Sequence, residues 1–293
     1  MHRSVLAIAA HPDDIELVMS GTLMQLQRRG WQIHYFNIAN GCCGSTTLDR
    51  TQCAAVRLAE AQRAAELLKA VFYPPICDDL EIFYTAELHR RVAAVVRQAM
   101  PSIILTHSPS DYMEDHQNAS RLAVGAAFVR AMPNFDSQPP FPIYQHDVAV
   151  YHAQPHGNRD PLGQLVVPTH FVDVTNLLDE KRRILAAHAS QDQWLDATQK
   201  ISAYLETMVE LNREVGSLSR SSNNPTCTAA FNYAEGWRQH IHLGLSQEGF
   251  DPLATALQDC NVVRTGDSFL EYNQRISPSS QAAPGNLRLN PEA

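Results

Sequence analysis

Short apolar runs that alternate with helical segments constrain the fold of this chain more than any other feature. Val5 to Ala9 is a compact apolar run, and Trp31 to Ala39 and Ser102 to Thr106 are runs of a similar kind. Residues 51–70 and 86–100 are rich in Ala and Arg, a composition typical of helices. Buried strands that alternate with helices predict an α/β fold with a mainly parallel β-sheet flanked by helices.

The remaining elements are predicted from the same signals. Helices are expected over 17–29, 117–132 and 176–215, and strands over 71–73, 147–153 and 170–174. Gly30 and Gly216 are predicted to end the helices that precede them. Because no shift in composition divides residues 1–275, we predict one domain with a C-terminal elaboration. Residues 276–293 are rich in Pro, Ser and Asn, which predicts a flexible tail.

Composition excludes several classes of function. The formal net charge of −8 argues against nucleic-acid binding, and no apolar stretch approaches the 18 or so residues needed for a membrane span. Six cysteines without a CxxC spacing are expected to be reduced thiols. These features predict a soluble cytoplasmic protein.

A polar cluster follows the first apolar run directly. His11, Pro12, Asp13 and Asp14 stand where the strand ends, and ligands of open α/β sheets bind beyond the carboxyl ends of strands. His11 and Asp14 can share one metal ion, with Asp13 acting on water. The alternative is a strand-to-helix turn in which an Asp caps the helix.

A second polar cluster, residues 107–116, follows the strand at 102–106 in the same way. Both clusters are expected at one edge of the sheet, so His116 can supply a third ligand beside His11 and Asp14. Two imidazoles and one carboxylate leave metal positions open for water and substrate. This ligand set predicts a catalytic metal site.

Together these motifs resemble the PIG-L / LmbE-like family of zinc-dependent N-deacetylases. The matching segments are His11-Pro12-Asp13-Asp14, Gly21-Thr22-Leu23, Arg57 with Glu60, Asp115-His116, and Ala187 to Gln191. The resemblance covers roughly residues 3–200. It implies a Rossmann-like fold and removal of the N-acetyl group from an N-acetylglucosamine-type amino sugar or conjugate.

The resemblance also assigns roles to residues. His11, Asp14 and His116 resemble the ligands of one Zn²⁺ per chain, although another divalent transition metal is an alternative. Asp13 resembles the general base that takes a proton from the attacking water. Arg57 and Asp79 resemble residues that position the substrate.

Roles are also expected for two further residues, His188 and Asp115. His188 is a further candidate for contact with the substrate. Asp115 is expected to orient the neighbouring His116, or to interact with the dipole of the helix that begins there.

Position 113 departs from the family pattern. Met113 stands where the family usually has a His that resembles an oxyanion stabiliser or acid, and a thioether donates no hydrogen bond. Tyr112 is the predicted replacement, because a phenol can donate to an oxyanion. His107 and His188 are alternatives.

The sequence therefore predicts a metal-dependent N-deacetylase. One rival is a metal-dependent hydrolase or hydratase that acts on a non-sugar substrate. A second rival is a metal-binding relative with weak or no turnover because of Met113. Whether the chain forms a homo-oligomer stays open.

Overall fold

The computed structural model describes residues 2–191, 194, 204–221, 231–241, 244–245, 249–257 and 262–264. Its strands are β1 (Ser4–Ala9), β2 (Gln32–Asn37), β3 (Val71–Tyr73), β4 (Ile103–Thr106), β5 (Ala149–Ala153), β6 (His170–Asp173), β7 (Ala234–Gln239) and β8 (Val262–Arg264). Its α-helices are α1 (Asp14–Val18), α2 (Ser20–Arg28), α3 (Arg50–Leu67), α4 (Ala86–Ala99), α5 (Glu114–Val129), α6 (Leu178–Leu185), α7 (Tyr204–Ser221) and α8 (Pro252–Ala256).

The strands form one sheet in the order β3-β2-β1-β4-β5-β7-β6-β8. The pairs from β3 to β5 are parallel, and the pairs that join β5, β7, β6 and β8 are antiparallel. The predicted α/β fold with a mainly parallel sheet is therefore confirmed. We call β1 to β5 the parallel half and β6 to β8, with α7 and α8, the antiparallel half.

Strand β1 lies between β2 and β4 and is buried along its whole length. Val5, Ala7 and Ala9 pack into the core layer on one side of the sheet, and Leu6 and Ile8 into the layer on the other side. A strand covered on both faces requires an uninterrupted apolar run, which is why the sequence signal was so clear.

The antiparallel half was predicted only in part. Strand β7 was missed because its sequence, Ala-Glu-Gly-Trp-Arg-Gln, has no apolar run, and β8 and α8 were also missed. The carboxylate of Glu235 on β7 caps α2, accepting hydrogen bonds from the amides of Gly21 at 2.8 Å and Thr22 at 2.7 Å. The same carboxylate forms a buried ion pair with Lys181 of α6. These contacts join the two halves.

Two helix predictions were wrong. The helix expected over 17–29 is two helices, because the backbone leaves helical geometry at Met19, where φ is −130°. The helix expected over 176–215 ends at Leu185, and a separate helix, α7, runs through Gly216 instead of ending there. A Cβ on Gly216 would lie 2.6 Å from the carbonyl oxygen of Asn232, so this glycine allows a close backbone approach.

Two remaining predictions concern the C-terminal tail and membrane spans. The predicted tail at 276–293 lies outside the described residues. Within the described part of the chain, no helix combines the length and hydrophobicity that crossing a bilayer requires.

Candidate active site

A cavity of about 350 Å³ opens at the carboxyl edge of the parallel strands. The segment after β1 contributes His11, Asp13 and Asp14, and the segment after β4 contributes residues 107–116. Helices α3 and α7 close the cavity with Arg57 and Tyr204. The two sequence clusters therefore meet at one edge, as predicted.

His11, Asp14 and His116 come together at the base of this cavity. One ligand atom from each lies within 4.8 Å of the other two. Asp14 lies between the imidazoles, with Oδ1 3.4 Å from His116 Nε2 and Oδ2 3.6 Å from His11 Nδ1. The amide of His11 also donates a 2.7 Å hydrogen bond to Asp14 Oδ2, which fixes the carboxylate.

Each of the two imidazoles is oriented by its own carboxylate. His116 Nδ1 lies 3.0 Å from Asp111 Oδ1, and His11 Nε2 lies 2.9 Å from Asp115 Oδ2. The expectation that Asp115 orients His116 is therefore wrong. Asp115 is on the first turn of α5, next to His116 in sequence, but its side chain points to His11 and also accepts the amide of Leu80. These pairs leave His11 Nδ1 and His116 Nε2 facing Asp14.

The carboxylates around these imidazoles favour positive charge. Burial alone would lower the pKa of His11, but hydrogen bonds with Asp115 and Asp14 raise it to about 10. Burial would raise the pKa of Asp14, but the neighbouring His116 and His107 hold it well below its usual range. A site of this kind binds positive charge, either as protons on the imidazoles or as a metal ion.

Asp13 is a buried carboxylate in a left-handed backbone conformation, with φ of 112°. Tyr204 donates a 2.5 Å hydrogen bond to its Oδ2, and the Arg57 guanidinium lies 3.4 Å from its Oδ1. Burial raises the pKa of Asp13, and Arg57 opposes that shift. Asp13 occupies the N-cap position of α1, but its side chain makes no capping hydrogen bond, so the capping alternative is wrong.

Arg57 lines the cavity and is almost fully buried. Its Nη2 donates to the carbonyl of Pro12, and its Nε and Nη1 have no hydrogen-bond partner among the described residues. Glu60, one turn further along α3, accepts hydrogen bonds from the amide of Ser190 at 2.9 Å and its hydroxyl at 2.6 Å. The motif of Arg57 and Glu60 and the motif of Ala187 to Gln191 therefore meet beside the site, although they lie far apart in sequence.

Asp79 and His188 were both predicted to contact the substrate, and of the two only Asp79 lines the cavity. Asp79 lines the cavity, but its oxygens accept the amides of Gly41 at 2.6 Å and Cys43 at 2.9 Å. It therefore anchors the loop after β2. His188 is buried against Glu16, with 3.3 Å between His188 Nε2 and Glu16 Oε2, and its side chain is 0% exposed. A side chain without exposed surface does not touch a ligand, so direct substrate contact by His188 is corrected to a supporting position.

The segment around position 113 provides one free hydroxyl group. Tyr112 lines the cavity, is 59% exposed and packs its ring edge-on to His116, with 5.7 Å between centroids. The Met113 side chain lines the same cavity. His107 is stacked on His116, and its Nε2 accepts the Ala10 amide at 2.9 Å, so it fixes the ends of β1 and β4.

Three residues of the site were missed from the sequence. Asp111 was one of several polar residues in its loop, and Tyr204 lies in a helical stretch with no distinguishing spacing. His156 lines the cavity from the segment after β5. The rule that sites form at strand ends would have found His156, because a strand at 147–153 was predicted.

A family model described as PIG-L, GlcNAc-PI de-N-acetylase, matches residues 6–127 of the chain. The chain is also 28% identical over 205 residues to a diacetylchitobiose deacetylase from Thermococcus kodakarensis. That alignment covers 66% of this chain and 72% of the relative.

Two solved structures share the fold. The 4-carboxy-2-hydroxymuconate hydratase from Pseudomonas putida KT2440 has a TM-score of 0.67 and 21% identity, over 82% of this chain and 97% of that chain. The N,N'-diacetylchitobiose deacetylase from Pyrococcus horikoshii has a TM-score of 0.64 and 24% identity, over 81% of this chain and 84% of that chain. At these sequence identities, the similarity to the two solved structures shows a shared fold and no more.

Proposed function

We propose that this chain is a metal-dependent hydrolase that removes the acetyl group from the nitrogen of an amino sugar, in keeping with the PIG-L family model that matches residues 6–127. The observation that carries this proposal is the convergence of His11, Asp14 and His116 in one cavity beside the buried carboxylate of Asp13.

The three converging side chains fit a divalent metal ion. Two ligand atoms on one tetrahedral zinc ion, each about 2.0 Å from it, lie about 3.3 Å apart. His116 Nε2 and Asp14 Oδ1 are 3.4 Å apart. A zinc ion, or another divalent transition metal, would polarise the amide carbonyl and lower the pKa of the attacking water.

Asp13 is the proposed general base. It takes a proton from water as the water oxygen attacks the acetyl carbon, and it gives that proton to the sugar nitrogen as the C–N bond breaks. Tyr204 and Arg57 hold the carboxylate oxygens of Asp13 in place. The products are acetate and a free amine. Tyr112 is the proposed donor to the carbonyl oxygen when it becomes an oxyanion.

The charge of the cavity supports a neutral substrate. Four aspartates line it, namely Asp13, Asp14, Asp79 and Asp111, whereas Arg57 is the only Arg or Lys among the described lining residues. Arg57 lies against Asp13, which neutralises much of its charge. Tyr112 and Trp194 offer aromatic surface of the kind that packs against the apolar faces of a sugar ring.

A metal-dependent hydratase or hydrolase on a non-sugar substrate is the second candidate. The Met113 side chain in the cavity favours it, because a thioether makes the pocket more apolar. The Pseudomonas putida neighbour acts on a carboxylated substrate, as its name states. Away from the metal ion, the aspartates of this cavity disfavour an anion of that type, because Arg57 is already paired with Asp13.

An acetate-release assay separates the two candidates. The zinc-loaded protein is incubated with N-acetylglucosamine, N,N'-diacetylchitobiose, acetanilide and an unsaturated dicarboxylate. We expect acetate from the sugars and little from acetanilide. Turnover of acetanilide or hydration of the dicarboxylate, without acetate from any sugar, would contradict the proposal.

A further inference from the structure

The oxyanion expected during amide hydrolysis needs hydrogen-bond donors, and several polar groups that line the cavity are committed to other contacts. The four aspartates only accept when ionised. His11 and His116 are held by Asp115 and Asp111, and the hydroxyl of Tyr204 is bonded to Asp13.

Gln154 and Arg57 also line the cavity, and each has a hydrogen bond elsewhere. The amide nitrogen of Gln154 donates to the carbonyl of Val166 at 2.5 Å. Arg57 donates through its Nη2 to Pro12 and Asp13, on the side of the base, and its Nε and Nη1 have no hydrogen-bond partner among the described residues. Tyr112 and His156 also line the cavity, where their rings lie next to each other and the ring of Tyr112 packs against His116.

His156 is held firmly at the carboxyl edge of the sheet. It begins a short 3₁₀ turn, His156–Asn158, just after β5. The side chain of Asn158 donates hydrogen bonds to the carbonyl of Leu211 at 3.1 Å and to Glu214 at 2.9 Å, both on α7. Because α7 also carries Tyr204, the helix that holds the base also holds His156 in position.

The imidazole of His156 faces the same cavity as Tyr112. Their ring centroids are 5.6 Å apart, and neither ring nitrogen of His156 has a hydrogen-bond partner among the described residues. Burial lowers the pKa of His156, an effect that Asp111 partly opposes. At neutral pH the ring is therefore mostly neutral and presents one N–H donor.

We propose that His156 is a catalytic residue that donates a hydrogen bond from its imidazole N–H to the oxyanion, together with the hydroxyl of Tyr112. This inference rests on the proposed function. As the water oxygen bonds to the acetyl carbon, the π electrons of the C=O bond move to oxygen. His156 and Tyr112 bind that oxygen without losing their protons, and the C=O bond reforms when the C–N bond breaks.

The first test compares variants of His156 in the zinc-loaded protein. Removing one oxyanion donor costs on the order of a hundredfold in kcat, so we expect that loss for His156→Ala with KM within about threefold of wild type. His156→Asn keeps an N–H donor and should lose less. His146→Asn is the matched control, because His146 bonds to the carbonyl of Met100 outside the cavity, and it should match wild type.

A double variant tests whether the two donors share one oxyanion. If they do, the loss for Tyr112→Phe with His156→Ala differs from the product of the two single losses, because both donors act on the same atom. Two losses that multiply would overturn the shared role.

Equilibrium binding provides a readout apart from turnover. A methylphosphonamidate derivative of glucosamine mimics the tetrahedral oxyanion. Its Kd should rise in His156→Ala by the same factor as kcat/KM falls, whereas the Kd for glucosamine should not change. Equal binding of the phosphonamidate by wild type and His156→Ala would overturn this inference even if the protein releases acetate. Absence of acetate release by wild type from every sugar would instead overturn the proposed function.

Discussion

Contacts between histidine and aspartate occur in both halves of the molecule, but their consequences differ. In the antiparallel half, His170 Nε2 lies 2.9 Å from Asp251 Oδ2, and its other ring nitrogen lies 3.0 Å from the Thr169 hydroxyl. Asp251 is satisfied too, because its Oδ1 accepts the hydroxyl of Tyr151 at 2.7 Å. All of these polar atoms bind one another, so the cluster stabilises the fold.

In the parallel half, the same kind of contact leaves one nitrogen of each ring available. Asp111 binds one nitrogen of His116, and Asp115 binds one nitrogen of His11. The second nitrogen of each ring faces Asp14 in the cavity. A His–Asp contact therefore does not identify a functional site by itself. The distinguishing feature is convergence of the remaining nitrogens on a shared cavity.

The largest effect is expected at Asp13. Asp13→Asn keeps the shape of the side chain but removes the proton acceptor, so kcat should fall on the order of a thousandfold. Metal content, measured by inductively coupled plasma mass spectrometry, should stay at the wild-type value. Asp179→Asn is the control, because this carboxylate is fully exposed, and it should not alter kcat. Retention of wild-type kcat in Asp13→Asn would contradict the role of Asp13 as base.

A large loss of stability with little loss of activity is expected at Glu235. Glu235→Gln leaves the fully buried ammonium of Lys181 without an anionic partner, which should lower the free energy of unfolding by about 3 to 5 kcal/mol. Urea denaturation measures this change. Glu180→Gln breaks an exposed ion pair with Arg28 and should cost less than about 1 kcal/mol. Equal costs for the two variants would show that burial of the Glu235 pair is unimportant.

A smaller effect separates the two kinds of His–Asp contact. Asp111→Asn should weaken zinc binding about 10- to 100-fold, because it disturbs the orientation of His116. Asp251→Asn should leave zinc affinity unchanged and lower the free energy of unfolding by about 1 to 3 kcal/mol. Competition with a chromogenic chelator and urea denaturation measure the two quantities. Equal loss of zinc affinity in both variants would remove the distinction between the halves.

The parallel half could be predicted from sequence because burial on both faces imposes apolar runs, as at Val5 to Ala9. The meeting of His11, Asp14 and His116 followed from the rule that parallel strands end at one edge. Strand β7 could not be predicted, because its Glu235 and Arg238 belong to contacts formed only in the folded chain.

Side-chain pairing was harder to predict than the site itself. Asp115 is next to His116 in sequence, yet it binds His11, since adjacent residues on a helix point in different directions. Tyr204 reaches Asp13 across 191 positions of sequence. Contacts of this range depend on how helices pack, which local sequence patterns do not encode.

The most direct measurement titrates zinc into chelator-treated protein while acetate release from an N-acetylated amino sugar is followed. If His11, Asp14 and His116 hold one catalytic metal, acetate release should rise linearly to one equivalent of zinc per chain and then stay level. His116→Ala should need far more zinc to reach any activity. Full acetate release by the metal-free protein, or wild-type behaviour of His116→Ala, would contradict this assignment.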